Sequence, residues 1–221
     1  MTMETQRMRT FVGISALALL AALPLRAAAE VFVDARAGGM GWGLGYGFDV
    51  GVNTSDNTSV RLGFTNADRD WDRTYDNVDY TGDYKHRTWS GLVDWRPMSG
   101  VFHLTFGLLY ADKNDLEISA TGTALEIGSG TYNTTLTGRM EYDRDWGPYA
   151  GVGWGNMGKK DKGFMWTADL GVAFLGGVNV HLTSSTPVPD SDLRAEEQKL
   201  EDDLRFLRWI PMISAAVGWR F

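Results

Sequence analysis

The chain has 221 residues, 43% of them hydrophobic and 22% charged, with 21 Lys and Arg against 28 Asp and Glu for a net charge of −7. The absence of cysteine excludes disulfide scaffolds, thiolate metal centres, cysteine nucleophiles and a lipidated N-terminal cysteine. Acidity argues against nucleic acid as a partner, because phosphate binding needs a basic stripe, while nine Trp, eight Tyr, ten Phe and 27 Gly suit sharply turning strands.

At the start of the chain, Arg7 and Arg9 precede an uncharged run over residues 11–25, and Ala27-Ala28-Ala29 follows it. A positive flank, an apolar run and small residues make a secretory signal peptide with cleavage before Glu30. The run falls short of the roughly 20 residues of a spanning helix. Residues 1–29 are therefore expected to be removed, leaving 30–221 as one exported domain.

Beyond Glu30 no stretch approaches the roughly 18 consecutive apolar residues of a membrane helix. The chain alternates with period two instead, the pattern of a strand with unlike faces. A first strand is expected over 31–37, turning at Gly38-Gly39. Trp42, Leu44, Tyr46, Phe48 and Val50 then oppose Gly43, Gly45, Gly47 and Asp49. Val60, Leu62 and Phe64 repeat the pattern, followed by Trp89, Val93 and Trp95, and by the long row Phe102, Leu104, Phe106, Leu108 and Tyr110. Leu136, Met140 and Tyr142 come next, then Ala150, Val152 and Trp154, then Trp166, Ala168, Leu170, Val172 and Phe174, then Val178, Val180 and Leu182. The final row is Ile213, Ala215, Val217, Trp219 and Phe221.

Aromatic residues gather at strand ends, as interfacial girdles do, and the opposite face carries charge. Backbone groups in hydrocarbon need internal partners, and only a closed sheet has no edge. The expectation is an all-β fold: a closed antiparallel up-and-down transmembrane β-barrel in the bacterial outer membrane, surrounded by lipid and lipopolysaccharide. The aromatic Phe221 is expected to engage the barrel-assembly machinery.

Short turns are expected at 53–57, 97–100, 144–147 and 175–177, and long connections at 66–83, 112–134, 156–162 and 184–208. Alternating short and long loops, with both termini periplasmic, gives ten strands, with eight as the alternative. In the last long connection, Pro189 to Arg208 reads as a short helix capped by Ser191 or Asp192, with a narrow Leu193, Leu200, Leu204, Leu207 stripe and Glu201–Arg205 and Lys199–Asp203 pairs. It is expected to lie over the barrel mouth.

The inward faces assign Asp34, Asp49, Asp94, Glu141 and Asp169 to the interior, with Arg36, Arg61, Arg139, Arg220, His103 and His181. An interior this narrow forces such charges together. They form either a salt-bridge core or a polar substrate path in which carboxylates attract a cationic or zwitterionic solute and arginines receive its carboxylate. In the 66–83 connection, Asp68, Asp70, Asp72, Asp76 and Asp79 follow the spacing of a calcium loop. Arg73 stands where that loop needs glycine, however, so a solvated acidic surface facing lipopolysaccharide is expected and no metal site or cofactor is assigned. His103 and His181 have only Thr105 and Thr183 nearby on their own faces, which makes no catalytic motif, so no enzyme is expected.

Several blocks carry a family likeness: Asp94-Trp95-Arg96-Pro97, the run from Gly147-Pro148-Tyr149 to Trp154-Gly155-Asn156, Asp169-Leu170-Gly171-Val172, the acidic stretch after Pro189, and Gly218-Trp219-Arg220-Phe221. In order and spacing they resemble the proteobacterial small outer-membrane β-barrels that include the CarO-type ornithine uptake porin. The resemblance covers nearly all of 30–221. It implies an eight-stranded barrel with little or no open channel, linked to uptake of ornithine and other basic amino acids, and it transfers no ligand-binding residue.

Overall fold

The computed structural model describes residues 30–40, 43–75, 78–159 and 161–221; the expected signal segment 1–29 and Trp42 lie outside them. Ten strands follow in order: β1 (Glu30–Met40), β2 (Gly43–Ser55), β3 (Thr58–Tyr75), β4 (Val78–Trp95), β5 (Phe102–Ile127), β6 (Gly130–Tyr142), β7 (Trp146–Gly155), β8 (Gly163–Phe174), β9 (Val178–Ser184) and β10 (Trp209–Arg220). Helix α1 (Asp190–Asp203) and a 3-10 turn (Arg205–Arg208) lie between β9 and β10.

Neighbouring strands pair antiparallel, and the pairing closes on itself through β1, β2, β3, β4, β5, β7, β8 and β10 back to β1. The ring thus has eight strands, and β6 and β9 stand outside it. The two segments expected as turns at 144–147 and 175–177 do not reverse the chain. β6 and β7 both run antiparallel to β5, pairing with its distal half (Leu116 to Ile127) and its proximal half (Phe102 to Tyr110) respectively. β8 and β9 continue each other in the same way, against β7 and β6.

Each of these two crossings is one long strand broken by a bend, which is why counting turn-like segments gives ten. The bends hold each other. Asp143 Oδ2 accepts the Gly177 N–H at 2.6 Å, Asp143 Oδ1 accepts from Asn179 at 2.9 Å, and the Arg144 N–H donates to Leu175 O at 3.2 Å. Gly176 takes a φ of 89° there, a conformation that a side chain would strain.

Other expected connections are strand too. The segments 66–83 and 112–134 lie mostly within the β3–β4 and β5–β6 hairpins. Their sequences lack apolar alternation because both faces stand clear of lipid. The 156–162 connection lies at the end that carries Glu30 and Phe221, called here the terminal end, and not at the opposite, distal end. Gly38 and Gly39 make no turn, since β1 runs on to Met40. A Cβ on Gly38 would lie 2.7 Å from Ile213 O, and one on Gly39 2.4 Å from Gly43 O, so these glycines allow close strand approach.

The apolar rows face outward. Leu44, Tyr46, Phe48, Phe106, Leu108, Leu170, Ile213 and Val217 are all exposed, Tyr46 by 72%. Trp95, Trp154, Phe164, Trp166, Trp219 and Phe221 ring the terminal end of this belt, and Tyr46, Trp146, Phe206 and Trp209 its distal end. In water such a surface would be an aggregation liability; around a closed barrel it is the lipid-facing band with its two aromatic girdles.

Beyond the belt, β3, β4, β5, β6 and β9 continue as a five-stranded sheet on one side of the rim. Helix α1 closes the free edge of β9 there. The Val180 N–H donates to Glu201 Oε1 at 3.0 Å and the Leu182 N–H to Glu197 Oε1 at 2.8 Å. Carboxylates thus take the edge donors that another strand would otherwise pair. The helix begins after Pro189 with no side-chain cap, and its ion pairs are Lys199–Glu196 at 3.4 Å and Arg205–Asp202 at 2.8 Å, each three residues apart, in place of the expected pairs. It lies along β9 and the β5–β6 tip; Asp192 accepts from Tyr132 Oη at 2.6 Å and from Ser129 Oγ at 3.1 Å.

Candidate functional site in the barrel lumen

The lumen is stacked in three layers. At the terminal end Phe32, Met157 and Met165 form a fully buried apolar plug. Toward the distal end Leu92, Leu109, Tyr149, Ala173, Leu175 and Ile210 pack together. Between them lies an ionic waist built by inward residues of six strands, Asp34 and Arg36 on β1, Asp49 on β2, Arg61 on β3, Asp94 on β4, His103 on β5 and Asp169 on β8.

Arg61 is the hub, 1% exposed. Its guanidinium reaches Asp49 at 3.1 Å, Asp94 at 3.0 Å and Asp169 at 3.2 Å. Arg36 pairs with Asp49, approaches Asp169 at 3.7 Å, and donates to Ser214 Oγ at 3.2 Å. His103 Nε2 meets Asp169 Oδ1 at 2.8 Å, and a Cβ on the neighbouring Gly153 would lie 2.3 Å from that nitrogen, so the contact needs glycine on β7. Thr105 donates to Asp94 at 2.7 Å and Thr167 to Asp169 at 3.0 Å. An arginine shared by three carboxylates supplies the pairing that burying charge requires, and the threonine hydroxyls add hydrogen bonds to Asp94 and Asp169.

Asp34 stands apart. It is 2% exposed, and neither of its carboxylate oxygens has a hydrogen-bond partner; Asp49 Oδ1 has none either. The two residues are direct cross-strand partners on β1 and β2.

Above the waist a cavity of about 40 Å³ reaches Arg36, room for about three waters. Thr65, Thr88, Ser90 and Ser214 line it with hydroxyls, joined by His86 and Tyr149. His86 Nε2 lies 2.5 Å from Thr88 Oγ1.

Of the expected site residues, the waist gathers Asp34, Arg36, Arg61, Asp94 and Asp169, with Asp49 and His103. Arg220 also points inward but sits at the terminal end, donating to Asp161 O at 2.9 Å and to Asn156 O. Arg139 and Glu141 are not in the lumen. They pair with each other at 2.8 Å, half exposed, on β6 outside the ring, and His181 is exposed on β9. Alternation gives the face of a strand, not whether that strand lies in the closed wall. Sequence reading missed Arg96, buried and donating to Ser59 Oγ at 2.8 Å; it keeps the parity of Asp94, but Pro97 disguises it as turn. In the acidic β3–β4 hairpin, Asp68, Asp70 and Asp83 bring carboxylate oxygens within 4.8 Å of one another, and Lys85 Nζ meets Asp83 at 2.5 Å.

No family model and no curated protein sequence matches the chain. Among solved structures, CarO of Acinetobacter baumannii matches with a TM-score of 0.64 at 20% identity, over 86% of this chain and 97% of that one. CarO2 of the same organism matches with 0.63 at 19% identity, over 87% and 99%. The likeness is one of architecture. A closed eight-stranded ring, a girdled apolar belt and a polar interior give this chain the fold of the small outer-membrane β-barrels, the fold of CarO, and place it in an outer membrane.

Proposed function

We propose that the barrel is a narrow porin-like uptake path for small cationic or zwitterionic solutes such as basic amino acids. One observation carries the reading. The hydroxyl-lined cavity leads onto a waist with four carboxylates, and Arg36 stands where the two meet. Carboxylates would draw a cation inward while Arg36 offers a fork to a solute carboxylate. Phe221, exposed at the end of the β10 outward row, would serve recognition by the barrel-assembly machinery. In liposomes, the refolded barrel should pass radiolabelled ornithine or lysine faster than glutamate, and Asp94→Asn with Asp169→Asn should reduce that flux. Equal leakage of all three solutes would leave the second reading, a closed structural or adhesive barrel, which the fully buried Phe32, Met157 and Met165 layer favours.

A further inference from the structure

Three of the four waist carboxylates already have an arginine. Asp49 and Asp169 each meet both Arg36 and Arg61, and Asp94 meets Arg61. Asp34 is the exception among the described residues, with both oxygens free of hydrogen bonds and 2% exposure. Its cross-strand partner adds a third free oxygen, Asp49 Oδ1. Like charges directly opposite on one sheet face repel, and a buried charge persists only when paired or coordinated.

We propose that Asp34 and Asp49 Oδ1 form a lumenal binding site for one hard monovalent cation, an alkali ion or a primary ammonium group. Four waist carboxylates face two arginines, with His103 beside Asp169, so the waist is net negative and Asp34, which has no arginine of its own, asks for a positive charge. A divalent ion would stand beside the Arg36 and Arg61 guanidinia that hold the other oxygen of Asp49, so the site discriminates against it. The pair packs closely against glycines: a Cβ on Gly218 would lie 2.5 Å from Asp34 Cβ, and one on Gly63 2.2 Å from Asp49 Oδ1, so only a small cation fits beside it. The cavity above is lined by Arg36, the next inward residue of β1, and by neither aspartate, so a cation entering from it must pass Arg36 to reach the pair. The site does not require an open path, so a barrel that binds the cation and passes no solute would refute the transport reading and leave this one standing.

The test is the unfolding midpoint of the full barrel folded in detergent micelles, titrated with sodium, methylammonium or tetramethylammonium chloride at equal ionic strength. Sodium or methylammonium should raise the midpoint saturably, by roughly 3–6 °C at tenfold the dissociation constant. Tetramethylammonium, bulky and without N–H donors, should not. A response to sodium alone identifies an inorganic ion; a response to methylammonium alone identifies the head group of an organic solute. Asp34→Asn should abolish the shift, and Asp202→Asn on the exposed face of α1 should keep it. Equal midpoints in all three salts, or an undiminished shift in Asp34→Asn, overturns the proposal. The wild-type salt series decides even where Asp34→Asn does not fold.

Discussion

Replacing Arg61 by leucine would leave Asp49, Asp94 and Asp169 buried with their shared cation removed. Breaking a buried pair from one side costs about 3–5 kcal/mol, so Arg61→Leu should lower the unfolding free energy of the barrel by that amount and with it the denaturant midpoint, read from the shift between its compact and unfolded bands in gel electrophoresis. Asp34→Asn, which removes an uncompensated charge, should in salt-free buffer raise the same midpoint. The opposite signs come from pairing, since both side chains are equally buried. Period two made the inward parity of these residues legible, and with it Asp34, Asp49, Arg61, Asp94, His103 and Asp169. It could not show which carboxylate lacks a partner, because that depends on how strands distant in sequence, β1, β3 and β8, are brought around the ring.

Among the elements, helix α1 is held by acids. Its leucine stripe suggested apolar docking over the mouth, yet no residue of α1 is buried, and Asp192, Glu197 and Glu201 make its attachments. Glu197→Ala with Glu201→Ala should expose the β9 edge and speed hydrogen exchange at the Val180 and Leu182 amides at least tenfold, with the ring amides unchanged. Attachment should also depend on pH. Hydrogen bonds from Tyr132 and Ser129 hold the Asp192 carboxyl below its ordinary value of 3.8. The docked helix therefore binds fewer protons than the free one, so docking is strongest above that value and is lost as pH falls through the lower, docked-state range. Proteolysis with an acid-active protease should cut the 185–208 segment faster as the pH drops from 5 to 2, and Asp192→Asn should flatten the dependence. The helix itself was legible from its composition; its seat was not, because it is set by an edge of β9 that sequence reading took for part of the barrel wall.

At the scale of the whole molecule, the apolar belt makes hydrocarbon the solvent of the wall. Leu170, in the middle of the outward row of β8 between Trp166 and Phe174, should tolerate arginine poorly. Leu170→Arg should cost about 2–4 kcal/mol, measured by reversible unfolding in lipid vesicles, whereas arginine at the solvent-exposed Thr131 of β6 should cost little. The belt and the closed antiparallel sheet were legible in advance, because lipid imposes one rule on every second residue. The strand count was not, since the bends at 143–145 and 175–177 carry the same small and polar residues as true reversals. Those bends have a use of their own. Below them the sheet is committed to closure, while above them β5 and β6 rise 12 residues further as the tallest hairpin of the five-stranded sheet, up to about 40 Å at ~3.3 Å per residue. Cargo grafted at the Gly128-Ser129 tip would be displayed well clear of the bilayer, loosening the contact of Ser129 with Asp192 of the helix without touching the hydrogen bonds that seal the cylinder.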